Sequence, residues 1–237
     1  MARFADPDQI NLANVQVRTP RDQYLDDLEL DGRRVADIGA GTGATARLMA
    51  SHGATVYAVE PNADVLHSIK TEGHPITLIH GGAESVRLDP QSLDIVTFFY
   101  SLHHIPGDVL IDSLNNAAQA LKPGGMIYIV EPVAMGPAYK VSQLIDDEAE
   151  VRKAALRTLE VWLKSSQFSQ SSETLLRYQQ IYPDFEAYKS HLLQVDSRRA
   201  AAFEAHELRT RTLFETYGDQ TPRGWAFDSV LRAIVIR

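Results

Sequence analysis

The chain has 237 residues, 23 Lys and Arg against 31 Asp and Glu, a formal net charge of −8, and no cysteine. Its length suits one large domain, or one domain with an appendage. The acidic balance argues against a broad phosphate-binding surface, so we predict no nucleic-acid partner. The lack of cysteine excludes disulfides, thiolate zinc sites and a cysteine nucleophile.

Apolar runs in the chain stay well short of the roughly 18 residues that a membrane-spanning helix needs. The first residues, MARFAD, also lack the apolar stretch of a signal peptide. We therefore predict no membrane span and, by default, a cytoplasmic location.

The first half of the chain alternates between apolar strands and helices. The first strand is predicted at residues 34–38, a helix at 42–50, and a second strand at 56–59. Further strands are predicted at 76–80, 93–100 and 126–130, with a helix at 108–121 and a Lys-Pro-Gly-Gly turn at 122–125. This regular alternation predicts one parallel sheet covered on both faces.

Two strand ends carry the residues of a cofactor site. Three glycines, Gly39, Gly41 and Gly43, follow the first strand and let the backbone approach a ligand closely. Glu60 ends the second strand, where an acid can accept hydrogen bonds from ribose hydroxyls. The spacing from Gly39 to Ala44 also fits a dinucleotide loop, so an NAD-dependent oxidoreductase stays open. Asp37, an acid two residues before the first glycine, argues against it.

Residues 33–135 resemble the class I S-adenosylmethionine (SAM) methyltransferases, in the small-molecule, ubiquinone/menaquinone-methyltransferase-like branch. The resemblance rests on Asp37-x-Gly-x-Gly-x-Gly43 and on Glu60. It implies a Rossmann-like, doubly wound, mostly parallel α/β sheet and SAM as cofactor, with S-adenosyl-L-homocysteine (SAH) as product. It also implies that the loop and Asp37 hold the amino-acid end of SAM and that Glu60 binds the ribose. The cofactor-binding residues predicted are Tyr24, Asp37, Gly39, Ala40, Gly41, Gly43, Glu60, Pro61, Ala83, Glu84 and Tyr100.

The adenine segment departs from the family pattern. Gly82 stands where the family commonly has an acid facing the adenine amino group. We expect the backbone of Ala83, or Glu84, to take its place.

Two adjacent histidines follow the fourth strand, His103 and His104. They are the imidazoles best placed to act as a general base for a phenol or an acidic carbon. Packing or hydrogen bonding under the cofactor loop is the alternative role. Both roles stay open at this point.

The second half of the chain is predicted to be a helical cap. One face of a long helix carries Leu144, Glu148, Val151, Ala155, Leu159 and Trp162. A loop is predicted at 165–172, helices at 173–181, from 184, and at 197–217, and a final strand at 231–236, with 225–228 in a closing hairpin. The usual sixth strand is not identified. The domains predicted are a SAM-binding core with an N-terminal helix (1–136), a helical cap inserted after strand five (137–217) and closing strands (218–237).

The cap is predicted to cover an acceptor pocket, because ligands bind at the carboxyl ends of strands in open α/β sheets. A packing or dimerising appendage is the alternative, which leaves a homodimer through the cap open. The acids Asp146, Asp147, Glu148 and Glu150 suit a helix start followed by a solvated charge pattern, so we predict no metal.

The function predicted is in-line methyl transfer from SAM to a small-molecule acceptor through oxygen, nitrogen or carbon. The Asn/Asp-Pro-Pro-Tyr/Phe motif, which the resemblance would link to planar amino groups, is missing after strand four. A SAM-binding protein that does not methylate, or a cyclase-type enzyme that uses the sulfonium, is the second hypothesis. The nicotinamide oxidoreductase is the third.

Overall fold

The computed structural model describes residues 4–237. The elements of the first half are β1 (Gln16–Val17), α1 (Pro20–Asp27), β2 (Arg34–Ile38), α2 (Ala44–Ser51), β3 (Thr55–Glu60), α3 (Ala63–His67), β4 (Ile76–His80), β5 (Leu93–Phe99), α4 (Leu110–Ala120) and β6 (Leu121–Pro132). Those of the second half are α5 (Gly136–Ser142), α6 (Ala149–Ser165), β7 (Gln170–Tyr182), α7 (Phe185–Val195), α8 (Ala200–Tyr217), β8 (Asp219–Thr221) and β9 (Gly224–Ile236). None of the helices in this described part is long and apolar enough to cross a membrane.

All the strands of residues 4–237 belong to one sheet, in the order β1-β7-β9-β6-β5-β2-β3-β4, with β8 paired to β9. The five strands from β6 to β4 run parallel, whereas β9 lies antiparallel between β6 and β7. The strand order reverses direction at β2, between β5 and β3. Crevices for ligands form at such switch points, at the carboxyl ends of the strands.

Helices cover both faces of this sheet. On one face α4 and α6 pack through Leu114, Leu159 and Trp162, all at most 2% exposed. On the other face α1, α2 and α3 supply Tyr24, Met49 and Leu66 to a second core. The prediction of a doubly wound, mostly parallel sheet is therefore confirmed. The central strands are apolar throughout because neither of their faces meets water.

The stretch predicted as a helical cap has a different organisation. The helix α6 packs on the core sheet beside α4, and its Trp162 Nε1 donates to Asn115 Oδ1 at 2.8 Å. Only α5, α7 and α8 form a separate layer, which packs an aromatic cluster against the ends of β7 and β9. We call these three helices the cap. Val151, expected on the buried face of the long helix, is 49% exposed.

The helix predicted at 173–181 is wrong, because these residues form most of β7. This strand pairs with β9 from Gln170 to Tyr182, and Leu176 lies opposite Leu231. Thr174, Tyr178 and Ile181 are β-branched or aromatic residues that favour a strand. The predicted loop at 165–172 shrinks to residues 166–169, between α6 and β7.

The final strand is longer than predicted, since β9 begins at Gly224 rather than at residue 231. Of the residues 225–228 expected in a closing hairpin, Trp225 and Ala226 pair with β8, and all four pair with β7. The sixth strand that the sequence pattern did not identify is β7. Its partner β9 comes only after α7, α8 and β8 in the chain.

Leu176→Ala tests the assignment of β7 to the sheet. Leu176 is fully buried, so the variant should lower the free energy of unfolding by about 2–5 kcal/mol through the lost contacts and the cavity left behind. Denaturant titration monitored by circular dichroism measures this loss. Gln179→Ala, at an exposed position of the same strand, should stay within about 0.5 kcal/mol of the wild type. Equal losses in the two variants would contradict the assignment.

Candidate active site

Asp37 braces the loop that follows β2 from inside the protein. Its carboxylate is fully buried and accepts hydrogen bonds from Thr45 Oγ1 and Thr97 Oγ1, each at 2.9 Å. Burial raises the pKa of Asp37 to about 6, and the two hydroxyls oppose that rise. The two threonines therefore tie the strand end to α2 and β5. In this structure Asp37 acts on the loop geometry and presents no surface to solvent.

The glycine loop has the backbone that only glycine adopts readily. Gly39, Gly41 and Gly43 have φ angles of 73°, 54° and 75°. A Cβ on Gly39 would lie 2.5 Å from Ser101 Cβ, whereas one on Gly41 would meet nothing within 4 Å. Gly39 N and Ala40 N both donate to Val59 O, which holds the loop against β3. The middle of the loop is thus open to an approaching ligand.

Glu60 lies at the carboxyl end of β3, facing the same loop. It is 8% exposed, and its two carboxylate oxygens accept from Gly41 N and Asn62 N, each at 3.0 Å. A carboxylate has further lone pairs to offer ribose hydroxyls after accepting these two bonds. The prediction that Glu60 and the glycines share one site is supported by this direct hydrogen bond.

Tyr24 and Tyr100 are in contact through their hydroxyl groups. Their hydroxyl oxygens lie 2.6 Å apart, which joins helix α1 to the residue that follows β5. Tyr100 has a φ of 56°, a left-handed conformation that is uncommon for a bulky residue. Such strain persists where the surroundings fix it, and it clusters at functional sites. Burial raises the pKa of both tyrosines, so both hydroxyls stay protonated.

The predicted adenine residues lie beyond Glu60. Ala83 is buried, and its carbonyl accepts from Asn116 Nδ2 at 2.9 Å, while Glu84 is exposed and folds its carboxylate over Gly82. The carbonyl of Pro61 is 2.9 Å from His80 Nε2. The contacts of these residues with adenine stay predictions.

His103 lies between two carboxylates. Its Nδ1–H donates to Glu131 Oε2, and its Nε2 is 3.6 Å from Glu148 Oε1. Glu131 also accepts from Leu102 N at 3.0 Å, and Glu148 pairs with Arg152 one turn along α6. The side chain of His103 is 2% exposed. We call this series, Glu131, His103, Glu148 and Arg152, the ionic chain.

The ionic chain fixes the charge of its members. Although burial opposes it, the hydrogen bond to Glu131 and the nearby carboxylate of Glu148 raise the pKa of His103 to about 9. The pKa of Glu148 falls to about 2, since His103 and Arg152 outweigh its burial. Near neutral pH, two cations and two anions therefore balance. Burial and the charge on His103 lower the pKa of His104, whose side chain is 63% exposed.

This geometry favours a positioning role for His103 over that of a base. Both of its ring nitrogens face carboxylates, and a protonated imidazole cannot accept a proton. His104 packs its ring 4.0 Å from that of His103. Their base roles stay predictions. His103, His104 and Glu148 each place one ligand atom within 4.8 Å of the others, but the ionic chain balances its charges without a cation. The expectation of no metal also stays a prediction.

A cavity of about 230 Å³ lies between the sheet and the cap, and Tyr100 is among the residues that line it. We call it the acceptor cavity. Its floor is built from β7 and β9, and its roof from α5, α7 and the start of α6. Glu148 and Arg152 line it, whereas neither His103 nor His104 does. Six aromatic side chains line it: Tyr100, Tyr139, Tyr178, Tyr182, Tyr188 and Phe227.

The residues present fit SAM. The Glu60 carboxylate at the end of β3 can accept hydrogen bonds from ribose hydroxyls. The open space beside Gly41 leaves room for the amino-acid part of the cofactor. The methyl-bearing end would then point toward Tyr100 and the acceptor cavity. Sequence reasoning missed three partners of these residues: Thr45 and Thr97 beneath Asp37, and Glu148, which it treated as a solvated helix-start acid.

Part of the chain is similar to known methyltransferases. A family model described as a methyltransferase domain matches residues 36–129. Ubiquinone biosynthesis O-methyltransferases are similar over part of the chain: the protein of Photorhabdus laumondii is 33% identical over 103 residues, 41% of this chain and 42% of that protein. The protein of Vibrio cholerae is 31% identical over 105 residues, 42% of each chain. The chain thus matches less than half the length of these relatives.

Solved structures resemble nearly the whole chain. The YcgJ protein of Bacillus subtilis has a TM-score of 0.58 at 20% identity and covers 91% of this chain and 95% of its own. A SAM-dependent methyltransferase of Leishmania major has a TM-score of 0.53 at 16% identity, with 91% and 69% covered. At these identities the likeness shows the fold. It extends across β7, β9 and the cap, where the curated relatives do not match.

Glu60→Ala should weaken SAM binding. The loss of charge-assisted hydrogen bonds, each worth about 1.5–3 kcal/mol, predicts a rise in Kd of roughly 10- to 150-fold. Isothermal titration calorimetry measures it, with Glu72→Ala, an exposed acid, as the matched control. An unchanged Kd in Glu60→Ala would remove this residue from the site.

The ionic chain should make stability depend on pH. The pKa of His103 is raised from 6.5 to about 9, so its contribution to stability is complete below about pH 6.5 and is lost as pH rises through 9. The free energy of unfolding should therefore fall across this interval. His103→Gln should be less stable at pH 6.5 and should lack this component of the fall. The same slope in both proteins would show that His103 does not titrate as described.

Proposed function

Because residues 36–129 form a class I SAM-dependent methyltransferase domain with SAM as its cofactor, we propose that the chain transfers the methyl group of SAM to a small molecule held in the acceptor cavity. The similar proteins that are named ubiquinone biosynthesis O-methyltransferases favour an oxygen as the methyl acceptor. A cytoplasmic location belongs to this proposal, as does the possible homodimer through the cap.

One observation carries the proposal: Tyr100 lines the acceptor cavity and directly precedes Ser101, which contacts the glycine loop. Ser101, the next residue, donates to Ile38 O at 2.6 Å, directly before that loop. A cofactor lying along the loop and a ligand in the cavity would thus approach each other at one point. This arrangement supports an in-line displacement, in which the acceptor atom attacks the methyl group opposite the sulfur of SAM.

SAM supplies an activated methyl group on a cationic sulfur. The protein itself binds the two reactants and orients them toward each other. Orientation of two bound reactants contributes roughly 7–11 kcal/mol to lowering a barrier, more than a positioned base supplies. Helices α5 and α7 of the cap supply part of the cavity wall. The ionic chain attaches the start of α6, which carries Glu148 and Arg152 into the cavity wall, to the residues that follow β5.

The test is a two-part assay on the purified protein. We expect calorimetry to show SAM binding, with NAD binding at least about tenfold weaker. With SAM present, a panel of hydroxylated aromatic compounds should yield SAH and a product heavier by one methylene group, detected by mass spectrometry. NAD binding without SAM binding would contradict the proposal.

The second arm separates catalysis from binding alone. SAM binding with no SAH release across oxygen, nitrogen and carbon acceptors would favour the non-methylating or cyclase-type alternative. Gly41→Val is the matched loss-of-function variant, because it puts a branched side chain into the open part of the loop at a φ of 54°. It should abolish both SAM binding and product formation. Gly73→Val, at an exposed positive-φ glycine outside the site, is its control.

A further inference from the structure

Two threonine hydroxyls and one carboxylate hold the glycine loop from beneath. Asp37 Oδ2 accepts from Thr45 Oγ1 in α2, and Asp37 Oδ1 accepts from Thr97 Oγ1 in β5, each at 2.9 Å. Thr97 also lies opposite Asp37 in the register of β5 with β2. One carboxylate thus joins the strand before the loop, the helix after it and the neighbouring strand. We call Asp37, Thr45 and Thr97 the hydroxyl clamp.

The Asp37 side chain is closed off from a ligand in the loop, because it has no exposed surface. Each of its two oxygens accepts from one threonine, so the loss of either hydroxyl would leave a buried carboxylate oxygen short of a donor. Burial and the nearby carboxylate of Glu60 raise the pKa of Asp37, whereas the two threonine hydroxyls lower it. The position of this carboxylate therefore depends on the two threonines.

The clamp acts on a segment that is costly to order. Gly39, Gly41 and Gly43 all have positive φ angles, and glycine loses more conformational freedom than any other residue when it is fixed. Gly41 N donates to Glu60 Oε2, so a displaced loop would also disturb the acid predicted to bind the ribose. A loop that is already fixed when the cofactor arrives avoids this ordering cost on binding.

We infer that Thr45 and Thr97 are positioning residues for SAM, which act through the Asp37 carboxylate to keep the glycine loop in its binding conformation. Asp37 itself makes no contact with the cofactor. This inference rests on the proposed function only in taking SAM as the ligand, and it is independent of the acceptor. Without the clamp, the loop would hold the binding conformation for a fraction of the time, and the affinity for SAM would fall by that fraction.

Thr97→Val tests the inference, since valine keeps the shape of threonine but cannot donate a hydrogen bond. Isothermal titration calorimetry should give a Kd for SAM at least about fivefold higher than that of the wild type. Thr97→Ser keeps the hydroxyl and loses a buried methyl group, so it should recover most of the affinity. Thr45→Val and Thr45→Ser should show the same pattern. SAH should follow SAM in every variant, because the clamp does not act on the sulfonium charge.

Thr210→Val is the matched control for a purely structural role. Thr210 is also fully buried, but its hydroxyl donates to His206 O within α8, and it does not line the acceptor cavity. The Kd for SAM should stay that of the wild type, because a change in stability does not alter Kd while the protein remains folded. Denaturant titration of each variant measures its stability separately.

A double-mutant cycle tests whether Thr97 acts through Asp37. Asp37→Ala should raise the Kd for SAM, and adding Thr97→Val should raise it no further, because the hydroxyl then has no carboxylate to hold. Additive losses in the double variant would overturn the route through Asp37. If Asp37→Ala does not fold, the comparison of Thr97→Val with Thr97→Ser decides.

The outcomes separate the inference from the proposed function. A wild-type Kd in both Thr97→Val and Thr45→Val would overturn the inference, as would equal losses in Thr97→Val and Thr97→Ser. A rise in Kd as large in Thr210→Val would also overturn it. Failure of the wild-type protein to bind SAM and SAH would instead reject the proposed function. Circular dichroism at the titration temperature establishes that each variant is folded.

Discussion

The buried imidazole of His103, held between Glu131 and Glu148, is the interaction on which the two halves of the site depend. Glu131 belongs to the end of β6, His103 to the turn after β5, and Glu148 to the start of α6. Three segments that are distant in sequence therefore meet at one ring. The cost of burying charge is offset in part because His103 and Arg152 lie beside Glu131 and Glu148, and Glu131 also accepts from Leu102 N. Removing one member would leave another buried and unpaired.

The contacts of His103 with Glu131 and Glu148 position residues on both sides of the site. Toward the cofactor loop, they fix the turn that carries Tyr100 and Ser101, and Ser101 in turn abuts Gly39. Toward the cap, they set the position of Glu148 and Arg152 in the wall of the acceptor cavity. The glycine loop and the acceptor cavity are thus both positioned by contacts that lead back to the His103 ring. This arrangement supports the proposal that the site mainly holds two ligands in line.

Local patterns were enough to predict the cofactor half. Glycines, apolar runs and the acid at Glu60 act within short stretches, so the parallel strands follow from them. The strand β7 could not be predicted in this way, because its partner β9 lies far along the chain and Leu176 alone is fully buried near its middle. Glu148 was misinterpreted for the same reason: only the fold brings a helix-start acid to His103.

The central claim is that a cofactor on the glycine loop and an acceptor in the cavity meet at Tyr100. Nuclear Overhauser effects between the isotope-labelled methyl group of bound SAM and the ring protons of tyrosine test it directly, with Tyr100→Phe assigning the signal. The account predicts a contact from the SAM methyl to Tyr100 that the variant removes from the tyrosine spectrum. A saturated complex in which the methyl group shows no contact with Tyr100 would contradict it.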